Sequence, residues 1–142
     1  MKTPRPSTLD NKARSLVKLL YDKCSTCNSR EDLQWAHVFG GYRNATRWHP
    51  LDYARQCPRC NANHNDNPRP YMRWFEAEYG PETLDKLERL HMTPGGVKLL
   101  TSDYRALGVA LDGCIREARQ GMTGPERLAL FSKYFGELKT AP

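Results

Sequence analysis

Four cysteines in two C-x-x-C pairs, Cys24-x-x-Cys27 and Cys57-x-x-Cys60, constrain this chain more than any other feature. Each tight knuckle puts two sulfurs on one side of the backbone, and 29 residues separate the pairs. Thiolates are soft ligands, and zinc takes four of them tetrahedrally at about 2.3 Å. Two knuckles fill that shell and leave no open position. The pattern therefore predicts a structural Zn²⁺ held by Cys24, Cys27, Cys57 and Cys60, supplying folding energy that a thin core lacks. Two disulfides are the alternative, which a reducing compartment disfavours. The fifth cysteine, Cys114, shares a helical pattern with Leu111 and Ile115 and reads as a buried thiol.

The 142 residues suffice for about one domain. No run of 18 apolar residues exists, and the opening "MKTPRPSTLDNKARS" has no apolar h-region. The expectation is a cytoplasmic protein with no membrane partner. The net charge is +6, unevenly spread: Arg43, Arg47, Arg55, Arg59, Arg69 and Arg73 fall in one stretch that has no lysine. Tyr42, Trp48, Tyr53, Tyr71, Trp74 and Phe75 are interleaved with them. Planar guanidinium groups among aromatic rings are the footprint of a nucleic-acid surface, so these six arginines are candidate DNA contacts. The alternative is an ordinary solvated basic face.

The chain divides into a basic arm and helix over 1–21, a zinc-binding core over 22–92 and a helical appendage over 93–142, packed on the core or on a partner subunit. Residues 1–8 read as a flexible arm. From Leu9 the apolar residues take helical spacing. "DLQWAHVF" reads as a strand, and Gly40-Gly41 as a turn. "RPYMRWFEAEY" predicts a helix stopped by Gly80, and "PETLDKLERLH" a second opened by proline and an acid. His91 at its end suits the helix dipole. Past the break "TPGG", two further helices are predicted.

A saturated zinc leaves the polar run "NANHNDN" after Cys60 unexplained; it either caps a helix or does chemistry. The order C-x-x-C, a strand ending in His37 ("QWAH"), a loop, then C-x-x-C-N resembles the four-cysteine zinc-containing HNH, or ββα-metal, endonucleases. Over residues 22–92 it is similar to phage endonuclease VII and, more closely, to the phage NinG/Rap recombination nucleases. The resemblance implies an α+β, treble-clef-like ββα core with flanking helices. It implies DNA as partner, in branched recombination intermediates such as Holliday junctions or D-loops, and the host-cell cytoplasm as the location. His37 matches the general-base histidine, and Asn61 the position that holds a catalytic divalent ion, Mg²⁺ or Mn²⁺.

The chemistry is coherent on its own terms. Phosphodiester hydrolysis needs a water deprotonated near neutral pH, which suits histidine, and a cation against the phosphate. Asn61 and His64 lie one helical turn apart, so they can face one ion. Many HNH enzymes carry an acid directly before the histidine, where this chain has Ala36. His64, Asp66, Asp52 and His49 are the candidate replacements, Asp52 alternatively orienting His37 or its loop. A homodimer suits a two-fold symmetric junction. The rivals are a non-catalytic zinc module that binds nucleic acid and a zinc-stapled protein-interaction domain.

Overall fold

The structure, a computed structural model, describes residues 2–41 and 43–138. Tyr42, one of the aromatics assigned to the basic face, lies outside the described residues. Six α-helices and one two-stranded antiparallel sheet make up the α+β architecture of the described residues. No helix is long and apolar enough to cross a membrane.

Helix α1 (Pro6–Leu20) begins at Pro6, whose fixed φ suits the first helical position. It buries Leu9, Ala13, Leu16, Val17 and Leu20, a stripe at three- and four-residue spacing. The predicted flexible arm is shorter than expected: α1 takes in residues 6–8, and Arg105 donates to the Thr3 hydroxyl at 3.1 Å. Strands β1 (Gln34–His37) and β2 (Tyr53–Gln56) pair with Gln34 opposite Gln56 and His37 opposite Tyr53. β1 is half the predicted length for a local reason. Val38 N–H still finds the Asp52 carbonyl at 2.7 Å, but the Asp52 carboxylate takes the next N–H, that of Phe39, at 2.8 Å. The chain then leaves the ladder.

Helix α2 (Pro58–Asn63) follows β2 directly. Helix α3 (Arg69–Tyr79) buries Tyr71, Phe75 and Tyr79, while Trp74 sits half-buried at the flank. Gly80, at φ 90°, ends α3 and opens α4 (Pro81–His91). Helices α5 (Thr101–Glu117) and α6 (Gly124–Phe135) complete the chain. Leu111, Cys114, Leu130 and Phe131 belong to the same buried cluster as Leu16, Tyr53 and Phe75, so these helices pack on the core. Two glycines make that fit possible. A Cβ on Gly113 would collide with the Tyr134 ring, and one on Gly124 with the Glu78 carbonyl. Arg127 pins α6 from inside: Nε donates to Tyr79 Oη at 2.9 Å and Nη2 sits 3.0 Å from Glu78 Oε2. Cys114 is buried, as expected, and desolvation pushes its thiol up to about 12.

Candidate metal centre and basic cleft

The first knuckle closes on itself. Asn28 N–H reaches the Cys24 carbonyl at 3.0 Å, with Asn28 in the left-handed region at φ 65°, and Cys24 N–H reaches the Ser29 carbonyl at 2.7 Å. Ser25 N–H donates to the Arg55 carbonyl at 2.9 Å, tying the knuckle to β2. The second knuckle is the start of α2: Cys57 is its N-cap, and Pro58 sets the first turn. The four sulfurs lie within 4.8 Å of one another. Cys27 Sγ and Cys57 Sγ are 3.7 Å apart, close to the ~3.8 Å edge of a tetrahedron of sulfurs about 2.3 Å from a central ion. The donor set therefore fits a structural metal such as zinc. The thiols of the cluster differ: against burial, hydrogen bonds from Thr26 and nearby backbone lower the Cys24 thiol to about 6. Burial, against a relieving hydrogen bond from Thr26 and reinforced by the sulfurs of Cys57, Cys27 and Cys24, pushes the Cys60 thiol up to about 12. A bound cation removes that obstacle to four thiolates.

Beside the cluster lies an open cleft of about 400 Å³, lined by Arg14, Val17 and Lys18 of α1, Leu33, Gln34, Trp35 and His37 around β1, Arg55 of β2 and Asn61 of α2. His37 is the most chemically defined group in it. Its Nε2 is 2.8 Å from the Arg47 carbonyl oxygen. A carbonyl only accepts, so Nε2 carries the proton and Nδ1 keeps the lone pair. The ring packs against Trp35 and Tyr53, with centroids 4.5 and 5.6 Å away. Burial lowers its pKa, the Arg47 carbonyl offsetting part of the effect, and the imidazole is neutral at pH 7. Asn61 Nδ2 donates to Gln34 Oε1 at 3.0 Å, which leaves its own carbonyl oxygen for a ligand.

The other candidates fall elsewhere. His64 does not join Asn61. It is the C-cap of α2, its Nε2 donates to the Val38 carbonyl at 2.7 Å, and its ring meets Tyr71 edge-on. It lines a separate cavity with Asp66, Asn67 and Cys60. His64 still lies one helical turn from Asn61, with its N–H bonded to the Cys60 carbonyl at 3.0 Å, but the Val38 carbonyl and the Tyr71 ring claim the imidazole. Asp52 is fully buried and binds Phe39 N–H; burial raises its pKa well above the ordinary carboxylate value. It holds the loop after β1 rather than an ion. His49 caps the turn Pro50–Asp52 by accepting Leu51 N–H at 3.2 Å. His91 is the last residue of α4, as expected, but its ring is buried, bonded to Thr46 Oγ1 at 2.8 Å and stacked on Phe39.

The six arginines divide as well. Arg47 forms a two-point pair with Asp10, at 3.2 and 2.8 Å, and lies 4.8 Å from the Trp48 ring centroid. Trp48 Nε1 donates to the same Asp10 carboxylate at 2.8 Å. Arg47 is thus a brace between α1 and the 43–49 loop, and its carbonyl is the one that fixes His37. Arg55 spends two N–H groups on the Tyr21 and Leu33 carbonyls. Arg43, Arg59, Arg69 and Arg73 are exposed but do not line the cleft. Arg14 and Lys18, which do, come from outside the predicted arginine stretch. Their signal is four-residue spacing on the polar side of α1, visible only once α1 is known to lie across β1. No family model, curated protein or solved structure matches the chain.

Proposed function

We propose that the chain is a zinc-stapled DNA endonuclease of the ββα-metal kind, with His37 as general base. One observation carries the reading. His37, fixed by a backbone carbonyl as a neutral base with Nδ1 available, shares a basic cleft with Asn61, and the cluster that fits zinc sits directly before Asn61 in the chain. In the reaction, His37 Nδ1 accepts a proton from the attacking water, whose oxygen bonds to phosphorus as the P–O bond to the leaving sugar oxygen breaks; that oxygen takes a proton from solvent, and the basic side chains of the cleft hold the phosphate. Asn61 and Gln34 present amide groups to the same space. The preference for branched DNA rests on the resemblance over residues 22–92.

A catalytic Mg²⁺ or Mn²⁺ fits this cleft poorly. Hard cations take carboxylates together with substrate phosphates, and no carboxylate lines it. Ala36, where an acid often stands, is packed in the core at 2% exposure. The same observation favours a second reading, a zinc module that binds nucleic acid without cutting it.

The test is cleavage of a labelled four-way junction, a duplex and a single strand, with and without added Mg²⁺ or Mn²⁺. Junction cleavage that drops about a hundredfold or more in His37→Ala supports the nuclease. Salt-dependent binding with no cleavage under any of these conditions selects the non-catalytic module.

A further inference from the structure

The nuclease reading leaves open what meets the phosphate charge in a cleft without carboxylates. Arg14 is placed for it. Its guanidinium carbon lies 5.0 Å from the centroid of the Trp35 ring, and that ring is the one packed against His37. Stacking on an indole fixes the plane of a guanidinium while leaving its edge donors available. Arg14 has no carboxylate partner among the described residues; its one hydrogen bond runs from Nη1 to Asn11 Oδ1 at 3.2 Å. Lys18, one turn further along α1, lines the same cleft.

The contrast with Arg47 sharpens the point. Both arginines lie near a tryptophan, but Arg47 is committed to Asp10 and its side chain is 18% exposed. Arg14 is exposed at the cleft wall. Arg55, the remaining arginine of the cleft, is tied to two carbonyls.

We infer that Arg14, held on Trp35 and supported by Lys18, is the phosphate grip of the cleft: it binds the backbone of the nucleic-acid strand presented to His37, and does so without a divalent ion. The substrate class rests on the nuclease reading, but the grip is read out by binding alone.

The experiment measures equilibrium binding of a fluorescein-labelled four-way junction and a labelled single strand over a salt series, with no divalent ion added and no chelator, so that bound zinc stays in place. Wild type, Arg14→Gln, Arg14→Lys, Lys18→Gln and the exposed control Arg116→Gln are compared. Arg14→Gln is expected to weaken binding about tenfold and to lower the salt slope by about one unit. Arg14→Lys recovers part of the affinity, Lys18→Gln loses less than Arg14→Gln, and Arg116→Gln stays within about twofold of wild type. Arg14 is exposed, so its variants fold. The inference is overturned if wild type binds neither probe, if Arg14→Gln binds as wild type does, or if Arg116→Gln loses as much as Arg14→Gln. A parallel cleavage assay separates the two ideas. Arg14-dependent binding without cleavage removes the nuclease and keeps the grip, whereas cleavage with Arg14-independent binding removes the grip alone.

Discussion

The sulfur cluster and the basic cleft meet at α2, where Cys60 belongs to one and Asn61 to the other. They are built on opposite principles. The cluster takes four identical donors from two short local motifs, a set that can fill a tetrahedral metal shell. The cleft takes single residues from α1, β1, β2 and α2, and it leaves its reactive atoms unsatisfied. The two are linked through the chain: Asn61 follows Cys60 of the cluster, and His37 is held by a carbonyl on a loop braced to α1. A site that must remain open to a substrate needs a neighbour that is closed.

Substitution in the cluster should have the largest effect. A structural zinc contributes on the order of 10 kcal/mol in small zinc domains, comparable with the whole stability of a domain of this size. Cys57→Ser is expected to abolish cooperative unfolding and stoichiometric metal binding, measured by circular dichroism and metal analysis. Cys114→Ser should keep the metal. A folded, fully metallated Cys57→Ser would place the staple elsewhere.

The brace comes next. Asp10→Ala strips the partner from the Arg47 guanidinium and the Trp48 indole, both largely buried, and should cost about 3 kcal/mol in urea unfolding. Arg14→Ala, which removes an exposed cation, should stay within about 0.5 kcal/mol. Equal losses in the two would erase the distinction between a braced arginine and an exposed one.

The smallest effects should separate Asn61 from His64. Asn61→Ala is expected to slow cleavage severalfold with fold and metal content unchanged. His64→Ala should leave nucleic-acid binding intact and cost about 1 kcal/mol of stability, because it deletes a half-buried hydrogen bond to Val38. Reversed outcomes would restore His64 to the site.

These divisions also show what could be read without coordinates. The cysteine cluster was legible because its information is local: residue type and two-residue spacing. Helices α3 and α4 were legible because Gly80 at φ 90° and Pro81 punctuate them. That His37 and Asn61 share one cleft was implied by the resemblance alone, and the part of α1 in that cleft was not legible, since spacing says nothing of α1 lying beside β1. The charge pattern misled at Arg47 because its partner, Asp10, is 37 residues away, and no local pattern reports such a pairing. It gave no sign that Arg14 lines the cleft for the complementary reason, as an amphipathic helix shows the same polar side whatever it faces. His64 misled because helical spacing from Asn61 places the backbone but not the ring, which the Val38 carbonyl and Tyr71 claim.

The most direct test of the central claim is the pH dependence of junction cleavage by wild type and His37→Ala. Burial lowers the His37 pKa below its ordinary 6.5, so the unprotonated base persists as pH falls through 6.5 and is lost only at the lowered value. The account predicts a wild-type rate that is flat around pH 7, with an acid limb below pH 6.5. That limb should disappear in His37→Ala, along with about a hundredfold or more of the rate. A limb at or above pH 6.5, or the same limb and rate in His37→Ala, would contradict it.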